Sequence, residues 1–251
     1  MITARALPGL PEVRAGDDLA ALLTAARGDG GFAAGEVLVV APKVVSKAEG
    51  RVVALRDVEP SPRAVQLARE LGKDDPRHVE VVLRESAEVV RARRGVLISR
   101  THHGFVCANA GVDASNAAGA DELILLPVDP DASARALRAA LGHAGAGTPA
   151  VVIADSFGRA WRHGQCDVAV GLAGLAPLED WRGRTDAYGR ELSATWIAIA
   201  DQAAAAADLA RGGKDAGEPA VVLSGLERHV TADDGPGAAA LVRARDEDLF
   251  G

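Results

Sequence analysis

The sequence predicts a mixed α and β (α+β) fold, because short apolar runs alternate with segments of helical periodicity along the chain. Hydrophobic residues make up 48% of the 251 residues and aromatic residues only 3%, so valine, leucine, isoleucine and alanine must form the core. No internal repeat or low-complexity linker divides the chain. We therefore expect one domain over residues 1–251, built as two closely joined lobes.

The first half begins with an apolar strand in "EVLVVAPKVVSKAEGRVVAL" (36–55), followed by a polar break and a second extended piece. The break contains Lys43, Ser46 and Lys47. "SPRAVQLARELG" predicts a helix from about Ser61 with Pro62 in its first turn, and "RESAEVVRAR" is assigned to the same helical layer. "GVLISRTHHGFVCANAG" predicts two short strands around a polar turn.

The second half continues the alternation. "ADELILLPVDPDASARALRAALGHAG" predicts a strand, a turn and a helix capped by Asp131 or Ser133. "TPAVVIADSFGRAWRHGQCD" predicts a strand that ends at Asp155-Ser156 and a loop after it. "ELSATWIAIADQAAAAADLARGG" leads into an alanine-rich helix that stops at Gly212-Gly213, and "EPAVVLSGLERHV" holds a last strand.

Composition excludes several classes of protein. The net charge is −7 with both signs interspersed, which argues against a nucleic-acid partner or an anionic membrane surface. No apolar run approaches the roughly 20 residues of a membrane span, and "MITARALPGLPEVRAGDD" lacks a signal-peptide core. The cysteines Cys107 and Cys166 favour a reducing compartment, so we expect a cytoplasmic protein.

Two acidic turns are the main candidates for chemistry, since the phosphate-binding G-x-x-x-x-G-K-[ST] motif and the G-x-S-x-G nucleophile motif do not occur. Asp113 lies in "NAGVDASN", and Asp155 follows the apolar run "AVVIA". Mg²⁺ takes oxygen ligands, commonly one or two carboxylates completed by substrate phosphates and water. Asp113 and Asp155 with the Ser156 hydroxyl would suffice, although ordinary turn and cap roles also fit these residues.

Two basic segments accompany them. "KVVSKAEGR" carries Lys43, Lys47 and Arg51, which suit either a solvated turn or a phosphate site. "GRAWRHG" carries Arg159, Arg162 and His163 around Trp161, a density of donors that fits an anionic substrate.

A zinc site is the rival metal hypothesis. His102, His103 and Cys107 lie close in sequence, and His163 precedes Cys166 by three residues. Such a set would make the protein a metal-dependent hydrolase, although the spacing is not that of a zinc finger or ribbon. A binding module without turnover is a third possibility.

Several longer segments resemble the coenzyme F-420:L-glutamate ligases, in the same order, from residue 5 to about residue 230. They are "GLPEV", "KVVSKAEGR", "HGFVCANAGVDASN", "LLPVDPDASARALR", "DSFGRAWRHGQCDVAVGLAGLAPLEDWRGRTDAYGRELSATWIAIADQ" and "ADLARGG" with "PAVVLSG". The resemblance implies a GTP-dependent ligase that adds L-glutamate to the deazaflavin precursor F-420-0 through an acyl phosphate and then extends a γ-linked tail. It also implies an intertwined homodimer of two-lobed subunits with two Mg²⁺ or Mn²⁺ ions, and it leaves a need for K⁺ open. Some relatives carry a C-terminal reductase-like domain, which we do not expect in a chain that ends at Gly251.

The resemblance also assigns residues. The nucleotide would contact Leu10, Pro11, Glu12, Val13, Lys47 and Asn116, with Lys47 on the phosphates. Asp113 and Asp155 would ligate one metal ion and Ser156 a second, so that Asp113, Asp155 and Lys47 form the catalytic set. Arg159, Arg162 and His103 are the candidate contacts to the acidic substrate, and His102 or His103 is the candidate base.

Two positions depart from the family pattern. Pro42 stands where relatives can offer a hydroxyl to the nucleotide, so we expect that contact to be missing. Gly212-Gly213 stands where some relatives supply an acidic ligand to the second metal, and Glu218 is the candidate replacement.

Overall fold

The computed structural model describes residues 1–117, 119–144, 147–213 and 215–248, which form the mixed α+β fold that the sequence predicts. Within these ranges the helices are α1 (Leu19–Arg27), α2 (Pro42–Ala48), α3 (Pro62–Leu71), α4 (Pro76–Arg84), α5 (Pro130–Ala144) and α6 (Ile199–Ala210). The strands are β1 (Thr3–Ala6), β2 (Val37–Val40), β3 (Val52–Ala54), β4 (Ser86–Arg93), β5 (Val96–Thr101), β6 (Val106–Ala108), β7 (Glu122–Ile124), β8 (Ala150–Arg159), β9 (Arg162–Ala173), β10 (Leu178–Asp180), β11 (Trp196–Ala198) and β12 (Ala220–Ser224).

A large sheet with the strand order β1-β12-β2-β8-β9 forms the centre of the fold. Strands β2 and β8 run parallel, and the other neighbours are antiparallel. Helices α1 and α5 cover one face and α6 covers the other. Because both faces are covered, "VLVV" in β2 and "AVVIA" in β8 are uniformly apolar and buried, without the alternation of a half-exposed strand.

A smaller part of the chain packs its own apolar cores. Strands β4, β5 and β6 form an antiparallel sheet, and α3 and α4 contribute Ala64, Ala68, Val79 and Val82 to the core beside it. Strands β3 and β7 form a separate pair. Helix α3 begins as the sequence predicts, with the Ser61 hydroxyl accepting from the Ala64 N–H and Pro62 at the first position.

One edge of the large sheet gathers four chain connections. Parallel β2 and β8 both end there, and antiparallel β12 begins there, with Ala220 opposite Val40. Strand β1 ends beside them, with Ala6 opposite Val221. The carboxyl ends of parallel strands in such a sheet open onto a crevice, so this edge is where a ligand site is expected.

Four local predictions were wrong. The segment holding Lys43 and Lys47 is not a polar break between two extended pieces but helix α2, with Pro42 at its first position. "RESAEVVRAR" contributes strand β4 and no helix, because two register shifts against β5 break the alternation that would have revealed it.

Strand β8 does not end at Asp155-Ser156 but continues to Arg159, because β9 pairs with it along its whole length. The cap of α5 is Asp129, whose Oδ1 accepts from the Ala132 N–H at 2.9 Å. Neither Asp131 nor Ser133 caps this helix: Asp131 Oδ1 instead accepts from the Leu172 and Ala238 N–H groups. None of the helices in the described part of the chain is long and apolar enough to cross a membrane.

Candidate nucleotide and metal site

A cleft of about 670 Å³ lies at the edge of the large sheet where the four connections meet. Its size falls in the ordinary range for small-molecule sites. Nine residues predicted from the sequence line it: Leu10, Pro11, Glu12, Val13, Lys47, Asp113, Asn116, Asp155 and Ser156. The structure thus brings together segments that are far apart in the chain, while the role of each residue stays a prediction.

Asp155 and Ser156 enter the cleft from β8, directly after its buried run. Ser156 stands opposite Asp167 of β9, and its Oγ donates to Asp167 Oδ1 at 2.6 Å. The hydroxyl proton is therefore engaged by Asp167, which leaves the oxygen lone pairs of Ser156 free to meet a cation.

Asp113 enters the cleft from the turn that follows β6. Asn109 and Ala110 both have φ of 52°, and a Cβ on Gly111 would lie 2.7 Å from Leu126, so a glycine is required there. The Asp113 N–H and C=O then pair with the backbone of Ile124 at 3.0 and 2.8 Å. This short bridge to β7 fixes the position of the Asp113 carboxylate.

Helix α2 supplies two cations of the cleft. Lys43 and Lys47 are four residues apart and so share one helix face. Lys43 Nζ lies 2.7 Å from Asp113 Oδ2 and 2.6 Å from Ser115 Oγ, and Lys47 forms an ion pair with Glu12. Each lysine is held by a predicted ligand-binding residue, so bound ligands would have to rearrange both pairs.

The two aspartates have opposite pKa shifts. Burial raises the pKa of Asp155 to about 6; a hydrogen bond from Ser156 opposes the rise, and the charge of Asp167 adds to it. Burial alone would also raise the pKa of Asp113, but Lys43 and Ser115 outweigh burial and hold it below its usual value. In the described residues no side chain forms a hydrogen bond or ion pair with the Asp155 carboxylate.

The oxygen ligands of the cleft fit a hard divalent cation. The half-buried Asp155 carboxylate, which has no ion pair in the described residues, lies beside a second carboxylate and a hydroxyl, and such oxygen donors are the ones that Mg²⁺ and Mn²⁺ prefer. Across the described ranges, no three His, Cys, Asp or Glu side chains are preassembled around a metal position. Substrate phosphates and water would complete the shell, as is usual for Mg²⁺.

Sequence reasoning missed Asp167 and Arg211 as members of this site. Asp167 is fully buried, and Arg211 Nη1 donates to its Oδ2 at 2.7 Å. An acidic residue inside the apolar run "CDVAVG" was the available signal, because a buried carboxylate requires a partner. Arg211 follows the last residue of α6 and could not be linked to β9 without the fold.

The structure does not bring Arg159, Arg162 or His103 to the described lining of the cleft. Arg159 and Arg162 flank the tip of the β8–β9 hairpin, where Arg159 Nη2 donates to the His163 carbonyl. His103 Nε2 lies 3.0 Å from the Pro127 and Val128 carbonyl oxygens. Glu218 does line the cleft, and its Oε2 accepts from the Gly212 N–H at 2.9 Å. Substrate binding by the two arginines and His103 stays a prediction without a contact to this cleft.

The zinc alternative finds no support in the geometry. Burial raises the pKa of Cys107 to about 12, so its thiol stays protonated at neutral pH and is a poor zinc ligand. His102 Nε2 lies 3.0 Å from the Arg84 carbonyl oxygen. In the metal-free protein His102 and His103 thus contact backbone carbonyl groups, and the Cys107 thiol is held protonated.

The comparison with known families agrees with the resemblance. A family model described as F420-0:Gamma-glutamyl ligase matches residues 9–225, which contain every residue discussed in the cleft. The chain belongs to this family. The fold and the cleft described above are accordingly those of an F420-0:gamma-glutamyl ligase family member.

Individual relatives match over nearly the full length. The coenzyme F420:L-glutamate ligase of Methanothermobacter thermautotrophicus is 45% identical over 245 residues, which cover 96% of each chain. The ligase of the same name from Methanopyrus kandleri is 45% identical over 95% of this chain and 93% of its own. That from Natronomonas pharaonis is 46% identical over 98% of this chain and 93% of its own.

Proposed function

We propose that this protein is a GTP- and divalent-metal-dependent ligase that joins L-glutamate to the deazaflavin precursor F-420-0 and extends a γ-linked glutamate tail. The observation that carries the proposal is the meeting of Glu12, Lys47, Asp113, Asp155 and Ser156 in one cleft of about 670 Å³. Family membership and the names of the relatives support the choice of glutamate and F420 as substrate class.

The chemistry requires activation of a carboxylate, which is a poor electrophile. In the proposed reaction an acceptor carboxylate oxygen takes the γ-phosphoryl group of GTP, which forms an acyl phosphate and GDP. The glutamate amine then attacks the acyl carbon, loses a proton and displaces inorganic phosphate. Phosphoryl transfer of this kind depends on positioning and charge neutralisation and needs no protein nucleophile.

The residues of the chain have defined tasks in this reaction. Asp113, Asp155 and Ser156 would hold the divalent ions, which supply charge neutralisation on the phosphates. Lys47 would exchange its partner Glu12 for a phosphate oxygen, as its place on the cleft face of α2 permits. Leu10, Pro11, Val13 and Asn116 line the same cleft and would surround the nucleotide.

A direct assay tests the proposal. The purified protein is incubated with F-420-0, L-glutamate, GTP and Mg²⁺ or Mn²⁺, and products are identified by mass. We expect one or more glutamate additions with matching release of GDP and phosphate, and none with ATP alone or with EDTA. No product under the complete conditions would contradict the proposal.

Two further properties, the oligomeric state implied by the resemblance and the location expected from composition, stay proposals. We expect the intertwined homodimer in solution, which light scattering coupled to size-exclusion chromatography measures. The cytoplasmic location follows from composition alone.

A further inference from the structure

Arg211 has an unusual hydrogen-bonding position at the end of α6. Its side chain is 13% exposed, and Nη1 donates to Asp167 Oδ2 at 2.7 Å. The other oxygen of Asp167 is occupied by the Ser156 hydroxyl. Each oxygen of the Asp167 carboxylate therefore accepts a hydrogen bond, and this carboxylate fixes one end of the guanidinium group beside the predicted metal ligands.

Among the described residues, the other edge of the guanidinium has no protein partner. Nε and Nη2 of Arg211 are buried and make no hydrogen bond in the described part of the structure. Leaving such donors unsatisfied costs about 1–3 kcal/mol each, and more for a charged group. In the described residues, Arg100 and Arg138 each leave only Nε in this state.

The same edge binds carboxylates elsewhere in this chain. Nε and Nη2 of Arg77 hold the two oxygens of Asp75 at 2.9–3.0 and 2.6 Å. Nε and Nη2 of Arg182 hold Asp180 in the same way. These two parallel donors match a pair of oxygens on a carboxylate or phosphate. Nε and Nη2 of Arg211 have no such carboxylate partner among the described residues.

The charge of the cleft favours an anion at this fork. The described lining contains seven acidic residues, Glu12, Asp113, Asp155, Asp167, Asp208, Asp215 and Glu218. Its cations are Lys43, Lys47 and Arg211, and both lysines are paired with acids of the lining. An acidic reactant entering this cleft requires a fixed cation, and Arg211 is the guanidinium that the described lining provides.

We propose that the Nε/Nη2 edge of Arg211 binds an oxyanion of a reactant, a carboxylate or a phosphate, while Nη1 stays anchored on Asp167. The proposal rests on the proposed function for the identity of the reactants. Three sources share this chemistry: glutamate, the phosphates of the nucleotide, and the phosphodiester of F-420-0. Because both nitrogens are shielded, the fork must turn toward the exposed side of the residue when the oxyanion arrives.

The first test observes the fork directly in the wild-type protein without metal. Arginine side chains are labelled with ¹⁵N, and the Nε–H resonance of Arg211 is assigned by its loss in Arg211→Lys, with Arg211→Gln as a second assignment. Inorganic phosphate, L-glutamate, GDP and F-420-0 are titrated separately. We expect a saturable shift of this resonance with at least one of them, and no saturable shift with any of the four would overturn the proposal.

Kinetics then identify the source. Lysine keeps the charge and can reach Asp167 but cannot form the planar fork. We expect Arg211→Lys to raise one KM, for glutamate, GTP or F-420-0, by about ten- to a hundredfold, since hydrogen bonds to charged groups contribute about 1.5–3 kcal/mol. The matched control is Arg182→Lys, whose fork Asp180 already fills, and we expect its three KM values to be unchanged.

The outcomes separate the two proposals. If the wild-type protein makes no ligation product and the resonance still shifts, the oxyanion site stands and the proposed function fails. If ligation proceeds, the resonance does not shift and all three KM values stay within twofold, the oxyanion site fails and the proposed function stands.

Discussion

The two walls of the cleft are built in different ways, although each supplies one aspartate. The sheet wall, formed by Asp155, Ser156 and Asp167, belongs to the long β8–β9 hairpin of the large sheet. The turn wall, formed by residues 109–116, is held by a single backbone bridge to β7 and by Lys43. Asp155 is half-buried, has a raised pKa and forms no ion pair within the described residues, whereas the Asp113 side chain is 42% exposed and is paired with Lys43.

This difference explains how the site can be stable without a cation and still bind one. Lys43 neutralises the turn wall, so Asp113 costs little when no ligand is present. On the sheet wall, the Asp155 carboxylate has no ion pair within the described residues, and the β8–β9 pairing holds it in place. A divalent ion would relieve the sheet wall and release Lys43 from the turn wall.

The largest expected effect is the loss of activity when either wall loses its carboxylate. Asp155→Asn and Asp113→Asn each should lower kcat by at least about a thousandfold, because the charge that holds the metal is removed while the side-chain shape is kept. Ligation rates measured by GDP release, with circular dichroism as the folding control, check this. Near-normal ligation by either variant would remove that wall from the metal site.

The next effect concerns the cores behind the walls. Ile153 is fully buried in β8, so Ile153→Ala should lower the free energy of unfolding by about 3 kcal/mol. Val112 of the turn wall is only partly buried, and Val112→Ala should cost about 1 kcal/mol. Urea unfolding curves measure both. Equal losses of unfolding free energy would contradict the view that the core behind the sheet wall is more deeply buried than the core behind the turn wall.

The raised pKa of Asp155 makes a pH-dependent prediction. A carboxyl group whose folded pKa is about 6, above an ordinary value of 3.8, favours the folded state at low pH and loses that contribution as pH rises through 6. Metal-free Asp155→Asn should therefore be more stable than the wild type at pH 7.5 by about 2–3 kcal/mol. The difference should disappear near pH 4.

Thermal unfolding of the two proteins at both pH values, in EDTA, provides the measurement. Saturating Mg²⁺ should stabilise the wild type at pH 7.5 and leave Asp155→Asn unchanged. A wild type as stable as the variant at pH 7.5 in EDTA would contradict the uncompensated charge.

The smallest effect is expected at the lysine of the turn wall. Lys43→Met removes an ion pair whose partners are 21% and 42% exposed, so the free energy of unfolding should change by no more than about 1 kcal/mol. Urea unfolding measures the change, with Arg69→Met, which replaces an exposed cation of α3 outside the cleft lining, as the control. A loss of several kcal/mol would mean that Lys43 supports the fold and not mainly the empty site.

The sequence predicted β2, β8 and β12 of the large sheet, because these strands are buried and read as plain apolar runs. It predicted neither β1, whose residues are mostly exposed, nor β9, whose first half is exposed and polar. It failed at α2, where polar residues among the valines indicated a break between two extended pieces, and at β4, where two register shifts against β5 concealed the period of two. Cap chemistry succeeded at Ser61, where serine and proline stand together, and failed at Asp129, one of three nearby candidates.

Residues of the site were found where they lie in a recognisable local pattern, such as the polar turn around Asp113. The Asp167–Arg211 pair joins positions 44 residues apart, and nothing local to either residue announces the other. Pairings of this kind follow from strand register and helix placement, which a single sequence does not specify. The position of Arg159 and Arg162 outside the described cleft lining has the same origin, since β8 runs on past Ser156.

The most direct test of the account is anomalous diffraction from crystals grown with Mn²⁺ and GDP. If Asp113 and Asp155 bind one cation, we expect a manganese peak within coordination distance, about 2.0–2.3 Å, of carboxylate oxygens of both residues. The nucleotide phosphates should lie on the other side of the ion. A peak bound by neither aspartate, or bound nucleotide with both aspartates turned away from any ion, would contradict it.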